Sequence, residues 1–322
     1  MGYNAAILRR AQQRLDEAQS QSLRDGEQRA AEIYKAHPRL REIEQALRMT
    51  SARVFAATYR EGGDPAAAVE KLKEENLTLQ REREWILDSE DIDPEDLTAQ
   101  PVCKSCGGTG WQGAVMCDCL RELCRQEQKK ELARQFGREN FDRFRLDVYP
   151  EEYNAELGAS PRQLMQKTYE RAVRYVQTFS PEAKPILLAG ATGLGKTFLS
   201  GCMAKAVADK GFSVEYVTAE TLFSDFEKEK FRPQPDFDRT QAYFDTDLLV
   251  IDDLGTEMTT QMTVAALYRV VNTRLMEQKA TVISTNLPLD ELEARYSAQI
   301  ASRLLGMFTI FKFYGDDIRM KP

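Results

Sequence analysis

The stretch Gly190-Ala191-Thr192-Gly193-Leu194-Gly195-Lys196-Thr197 decides the fold. It fits the phosphate-binding pattern G-x-x-x-x-G-K-[ST] at every position and lies between strand-like and helix-like sequence. Upstream, Pro185-Ile186-Leu187-Leu188-Ala189 is an apolar run of the length of a buried strand. The glycines that follow let the backbone wrap an anion with its N–H groups turned inward. Downstream, a helix from Lys196 to about Lys210 offers its N-terminal amides and dipole to phosphate, and Gly211 is placed to stop it. Gly190, Thr192, Gly193 and Gly195 then form the cradle, Lys196 reaches the β- and γ-phosphates, and the Thr197 hydroxyl holds Mg2+. A nucleoside triphosphate is the expected ligand.

Outward from the loop, strand and helix signals alternate, as a parallel sheet with helices on both faces requires. Strands are expected at 186–189, 213–218, 248–252, 281–285 and 307–314. Leu248-Leu249-Val250-Ile251 buries the third of these, and Asp252-Asp253 emerges at its C-terminal end, where ligands bind in open α/β sheets. Asp252 is expected in the Mg2+ shell, largely through water, and Asp253 beside the attacking water. The next strand ends Ile283-Ser284-Thr285-Asn286, which sets an amide beside the γ-phosphate; a turn asparagine before Pro288 is the plainer alternative. Arg303 and Arg319 are arginines further on, one placed to reach a neighbouring subunit's nucleotide and the other near the C-terminus, with a surface role open for both.

Composition limits the rest. The chain has 322 residues, 42% of them hydrophobic, and a mean hydropathy of −0.50, enough for about two domains of a soluble protein. No segment has the apolar length of a membrane span, the N-terminus lacks a signal-peptide core, and Ala6 stands where myristoylation wants Ser or Thr, so a cytoplasmic protein is expected. A net charge of −7 leaves no global footprint for duplex DNA, so any nucleic-acid contact must be local. The segment 221–239 supplies a candidate, with Phe223, Phe226 and Phe231 among Lys228, Lys230 and Arg232, the mixture a single strand uses for stacking and phosphate contact. Core phenylalanines under a wet charged face are the alternative. The one histidine, His37, precedes Pro38 and suits a helix end, which excludes a His-based mechanism elsewhere.

Residues up to about Leu87 have the composition of helices, punctuated at Gly26, Pro38 and Gly62-Gly63-Asp64-Pro65. Asp64 and Pro65 start a helix in which Val69, Leu72, Asn76, Leu79, Arg83 and Ile86 form a short heptad seam. Packing in a small bundle and an intermolecular coiled coil both fit it, and either makes this region a partner-binding module. The acidic stretch 88–96, interrupted by Pro94, reads as a solvated linker.

Five of the six cysteines lie between Cys103 and Cys124. The pairs Cys103-x2-Cys106 and Cys117-x-Cys119 form a ligand set for structural Zn2+, with Cys124 as the substitute for one member of the tight second pair. Gly107, Gly108 and Gly110 allow the turn that faces backbone amides to sulfur. A reducing cytosol disfavours disulfides, a closed four-sulfur shell has no open position for water, and an iron–sulfur centre is the weaker alternative. Cys202, alone in the helix after the loop, reads as a small buried hydrophobe.

The P-loop, D-D-L-G (Asp252 to Gly255), S-T-N (Ser284 to Asn286), S-R-L (Ser302 to Leu304) and terminal G-D-D-I-R (Gly315 to Arg319) together resemble the AAA+ ATPases of the bacterial replicative helicase loader family, the DnaC/DnaI type. C-K-S-C-G-G-T-G-W and C-D-C-L, followed by Asn140-Phe141-Asp142-Arg143-Phe144, are similar to the zinc-bearing branch of those loaders. The resemblance covers roughly residues 100 to 320. It implies an α/β fold, a P-loop AAA+ core with a five-stranded parallel sheet, preceded by an α-helical N-terminal domain (1–100, with the acidic linker) and a small zinc-binding module (101–135), the ATPase occupying 136–322. It further implies ATP, Mg2+ and Zn2+ as cofactors. Asn286 becomes the first sensor, Arg319 the second and Arg303 a finger acting on a neighbouring subunit. Implied partners are the replicative hexameric helicase, single-stranded DNA and further copies joined through the ATPase domain, with no membrane. Asp253 stands where the wider class has glutamate, and one methylene less suits slow, switch-like turnover. The chain ends at Pro322, so no helical lid is expected after Arg319. An IstB-type transposition helper shares this core, and a nucleotide-binding adaptor with little hydrolysis is the reading from a different class; the zinc module and the long helical N-terminus favour the loader.

Overall fold

The computed structural model of the chain describes residues 2–58, 65–137, 140–231 and 239–320. The chain divides into two units, Gln13–Leu120 and Met1–Gln12 with Arg121–Pro322. Among the described residues no helix is long and apolar enough to cross a membrane.

The helices α1 (Ala5–Ala36), α2 (Pro38–Arg48), α3 (Thr50–Thr58) and α4 (Pro65–Ser89) come first. His37 holds the N-cap position of α2 and Pro38 its first turn, a helix end as expected. Leu40 and Ile43 of α2 pack with Ile86 and Leu87 of α4 and with Leu97 beyond it. Of the heptad seam, Ile86 belongs to this core, Leu72 is buried and Val69 is exposed. Leu79 packs against the same core, Asn76 accepts a hydrogen bond from the Thr50 hydroxyl at 3.1 Å, and Arg83 donates to Glu44 at 2.6 Å. Both polar members of the seam are thus satisfied within the chain, as packing in a bundle requires. Asp64 falls outside the described residues.

The acidic stretch departs from the linker reading. Ile92 packs on the helical core, Leu97 is buried, and the Asp93 carboxylate accepts from the Glu95 N–H at 2.8 Å to open a 3-10 turn. Two apolar side chains hidden among the acids anchor it. A two-stranded hairpin follows, β1 (Trp111–Gln112) and β2 (Val115–Met116).

The remaining elements are α5 (Asp118–Phe136), α6 (Pro161–Gln177), β3 (Ile186–Ala189), α7 (Lys196–Asp209), β4 (Val214–Thr218), α8 (Ala219–Phe231), α9 (Arg239–Asp245), β5 (Leu248–Leu254), α10 (Gln261–Met276), β6 (Ala280–Thr285), α11 (Leu292–Arg295), α12 (Ala298–Met307) and β7 (Thr309–Lys312). The five strands form one parallel sheet in the order β4-β5-β6-β3-β7. Side chains alternate between two cores: Ile186, Leu188, Leu248 and Val250 face the layer holding α6 and α7, while Leu187, Leu249, Ile251 and Ile283 face that holding α8, α10 and α12. Cover on both faces explains why these strands read as unbroken apolar runs. The last strand is shorter than expected because α12 continues to Met307.

Residues 2–12 and 121–135 fall in the unit that holds the sheet rather than with the N-terminal helical domain and zinc module expected above. Ile7 and Ala11 are buried, Asn4 donates to Glu215 at 2.9 Å, and Arg10 pairs with Glu127 and Glu131 of α5. Buried Gln128 of α5 donates to Phe212 O and accepts from Val214 N, each at 2.9 Å, tying that helix to the start of β4.

Candidate nucleotide site and cysteine cluster

The Gly-rich loop leaves β3 between β6 and β7 and enters α7, so its amides meet the C-terminal ends of three strands. Two of its glycines are irreplaceable for different reasons. A Cβ on Gly190 would lie 2.8 Å from the Cβ of Phe313, and one on Gly193, where φ is +79°, would lie 2.0 Å from Asp317 Oδ1. Gly195 caps α7 with φ +88°. The Tyr149 hydroxyl donates to Leu194 O at 2.9 Å and braces the loop from outside. Lys196 is only 5% exposed, and its ammonium donates to Gly190 O at 2.7 Å and Ala191 O at 2.8 Å. Burial pushes its pKa down, against the pull of Asp253 and Asp252.

A cavity of about 490 Å3 opens at this loop. Its lining combines the apolar Phe144, Val148, Tyr149 and Ile318 with the polar Lys196, Thr197, Asp253, Asn286 and Arg319. The apolar and polar linings suit a purine and a polyphosphate respectively. Asp252 is buried at the end of β5 and Asp253 turns outward into the cavity with φ +54°. Burial, then the neighbouring Asp252 charge, raises the Asp253 pKa, while Lys196 and Arg319 hold it back. The Asn286 Oδ1 is buried and has no hydrogen-bond partner among the described residues. An orphaned acceptor at the phosphate end fits a bound water or ligand donor. Arg319 makes three bonds to the Asp317 carboxylate, from its N–H at 3.0 Å, Nε at 3.1 Å and NH2 at 2.9 Å. These residues fit ATP with Mg2+, for which Thr197 and the buried Asp252 are the candidate protein contacts.

Arg303 does not line this cavity. On α12 it donates to Asn272 Oδ1 through Nε at 3.0 Å and NH2 at 2.8 Å, and its guanidinium lies 4.7 Å from the centre of the Tyr268 ring.

In the unit Gln13–Leu120, the sulfurs of Cys103, Cys106, Cys117 and Cys119 all lie within 4.8 Å of one another, with Cys103–Cys117 at 3.8 Å and Cys106–Cys119 at 3.5 Å. Tetrahedral Zn–S bonds of about 2.3 Å require S···S separations of about 3.8 Å, so the donor set fits Zn2+. Gly107, Gly108 and Gly110 all have positive φ, and the Gly110 N–H points at Cys106 Sγ at 3.2 Å. Burial opposes ionisation of Cys106, yet hydrogen bonds led by the Gly110 N–H bring its thiol down to about 6. Burial and the adjacent cysteines push Cys119 the other way. Cys124 belongs to the other unit, buried in α5, its thiol pushed up to about 12 by burial and by Glu127, so the cluster is complete without it. Cys202 is buried within α7.

The aromatic segment is corrected. Phe223 and Phe226 are each 5% exposed, packed in the core that also holds Tyr243 and Phe244, and are not available to stack on bases. Lys228 and Lys230 are exposed, with Lys228 3.6 Å from Asp225. The Phe231 side chain and Arg232 fall outside the described residues.

A family model described as "IstB-like ATP binding protein" matches residues 118–321, well over half of the chain. The chain belongs to the IstB-like ATP binding family. Its P-loop, sheet order and strand-end carboxylates are those of a P-loop AAA+ core. Among curated relatives, the replicative helicase loader DnaC of Escherichia coli K12 is 22% identical over 195 residues, which is 60% of this chain and 76% of DnaC. The chromosomal replication initiator DnaA of Mycoplasma genitalium is 26% identical over 149 residues, 43% of this chain and 33% of DnaA. A solved DnaC helicase loader superposes with a TM-score of 0.46 at 21% identity, covering 56% of this chain and all of that one. The resemblance to helicase-loader ATPases is thus matched by relatives as well as by motifs.

Within this IstB-like core, sequence reasoning had placed the polar lining of the cavity and missed part of the apolar lining. Phe144 stood in the motif leading into the core and Ile318 in the terminal G-D-D-I-R motif, but Val148 and Tyr149 carry no local signature. Only the fold brings a segment 40 residues before the P-loop and another 120 after it to one wall.

Proposed function

We propose that this chain is an ATP-hydrolysing loader that places a replicative hexameric helicase on single-stranded DNA. One observation carries the ATPase: Lys196, Asp253, Asn286 and Arg319, distant in sequence, converge on one cavity. The loop amides and Lys196 bind the β- and γ-phosphates, Asp253 orients the attacking water, and the orphaned Asn286 Oδ1 accepts from it. Thr197 and Asp252 would hold Mg2+, which would supply charge neutralisation at the phosphate oxygens. Arg319 adds positive charge at the same end. Arg303, outside its own cavity, reaches the nucleotide of a second copy, so that ATP favours a subunit-bridged state and hydrolysis releases it.

The loader step is supported by the DnaC relative and by the presence of a separate helical and cysteine-bearing unit beside the ATPase unit. We assign helicase binding to residues 1–135 and Zn2+ to Cys103, Cys106, Cys117 and Cys119. A second reading, a transposition helper acting on a transposase, is favoured by the family model itself. Co-purification of the full chain with a replicative helicase and with an IS21-type transposase, each in ATP and in ADP, separates the two. The loader predicts an ATP-dependent complex with the helicase, and capture of the transposase alone would overturn it.

A further inference from the structure

The two carboxylates at the end of β5 differ because of a backbone irregularity. Ile251 pairs with Ile283 and Leu254 with Thr285, so β5 uses one residue more than β6 over this stretch. The result is a β-bulge at Asp252-Asp253, which leaves an N–H without its ladder partner and turns a side chain out of register. Asp253 takes the left-handed conformation, φ +54°, uncommon for a non-glycine residue though aspartate tolerates it better than most.

Ser284 braces it. Its side chain faces the bulge from β6, with no exposure to solvent. The hydroxyl accepts from the Asp253 N–H at 2.9 Å and donates its single proton to Asp252 Oδ1 in a short hydrogen bond. A hydroxyl has one proton to give and lone pairs to receive, so both bonds form at once. No other group supplies the stranded Asp253 N–H with a partner among the described contacts.

We infer that Ser284 is the positioning residue of the hydrolysis site. By holding Oδ1 it fixes the orientation of the Asp252 carboxylate, which the Tyr216 hydroxyl also contacts. By anchoring the Asp253 N–H it fixes the bulge that aims the Asp253 carboxylate into the phosphate cavity. The inference rests on the ATPase reading and adds a residue to it that touches neither nucleotide nor metal.

The test is Ser284→Ala in the full chain, read by titration with a fluorescent ATP analogue and by turnover. In EDTA the variant is expected to bind the analogue within twofold of wild type, because the P-loop is untouched. The Mg2+ concentration for half-maximal effect is expected to rise about tenfold or more, and kcat to fall about 10–100-fold with KM unchanged, the usual loss when a group orienting a metal ligand is removed. Wild-type Mg2+ requirement and kcat in Ser284→Ala would overturn the inference. Should Ser284→Ala fail to bind in EDTA, Ser284→Thr decides, since it keeps the hydroxyl: a wild-type Mg2+ requirement supports the role and a shifted one overturns it. A wild-type chain that binds nucleotide without turnover would refute hydrolysis, while the Mg2+ titration of binding still decides Ser284.

Discussion

Gly193→Ala would test the shape of the phosphate cradle at its tightest point. Gly193 has φ +79°, and an added Cβ would lie 2.0 Å from Asp317 Oδ1 and 2.1 Å from Asp317 Cγ. The substitution therefore has two separable effects. An alanine in the left-handed region costs about 1–2 kcal/mol, and the loop relaxes away from that conformation unless a nucleotide restores it. At 1.36 kcal/mol per tenfold, the conformational part alone weakens binding by about 5–30-fold. The second part is the expulsion of Asp317, whose carboxylate holds Arg319 through three hydrogen bonds and whose neighbour Ile318 donates its N–H to Gly193 O at 3.0 Å. The affinity of a fluorescent ATP analogue, measured in Mg2+ with melting curves to check folding, is expected to fall by more than about 30-fold in Gly193→Ala. Gly193→Ala with Asp317→Ala removes the clash and is expected to return to the 5–30-fold range. Binding within twofold of wild type in the single variant would refute the reasoning about the cradle, and no recovery in the double variant would refute the clash.

Asp253 must be ionised to orient water, and its pKa is raised by burial and by Asp252, so turnover should fall with decreasing pH at a midpoint above the ordinary carboxylate range; Asp253→Asn should retain nucleotide binding, lose turnover and leave no acid limb in a pH–rate profile. Elemental analysis of purified protein should find one zinc per chain, and Cys119→Ser should lose it together with order in the β1–β2 hairpin, seen as faster amide exchange there. Phe226→Ala should destabilise the ATPase unit by about 3–5 kcal/mol in chemical denaturation, the cost of emptying an aromatic core site, whereas Lys228→Ala should leave stability unchanged.

The parts of the fold written in local patterns were legible. The run Ile186–Ala189 reads as a buried strand because both of its faces are covered, and the P-loop glycines are legible because only glycine meets their φ and their close contacts. Alternatives that depended on tertiary placement were not. Phe223 and Phe226, spaced by three on α8, look the same whether they face a core or a strand of DNA, and the core behind them comes from Tyr243, Phe244 and α10. The linker reading of residues 88–96 gave way because it weighed net charge above Ile92 within the stretch and Leu97 just after it, the side chains that pack on the helical core. Ser284 was visible only as a letter in a motif, since its role depends on a one-residue bulge in the neighbouring strand.

The central claim is that the cavity forms half of an ATP-hydrolysing site completed by Arg303 of a second copy. Mixing Lys196→Ala and Arg303→Ala chains tests it most directly, since a mixed pair has one interface with both Lys196 and Arg303 intact. Each variant alone should be nearly inactive, and ATP turnover should rise to a maximum near equal proportions. No recovery at any ratio, with both variants folded and Arg303→Ala still binding nucleotide, would contradict the account.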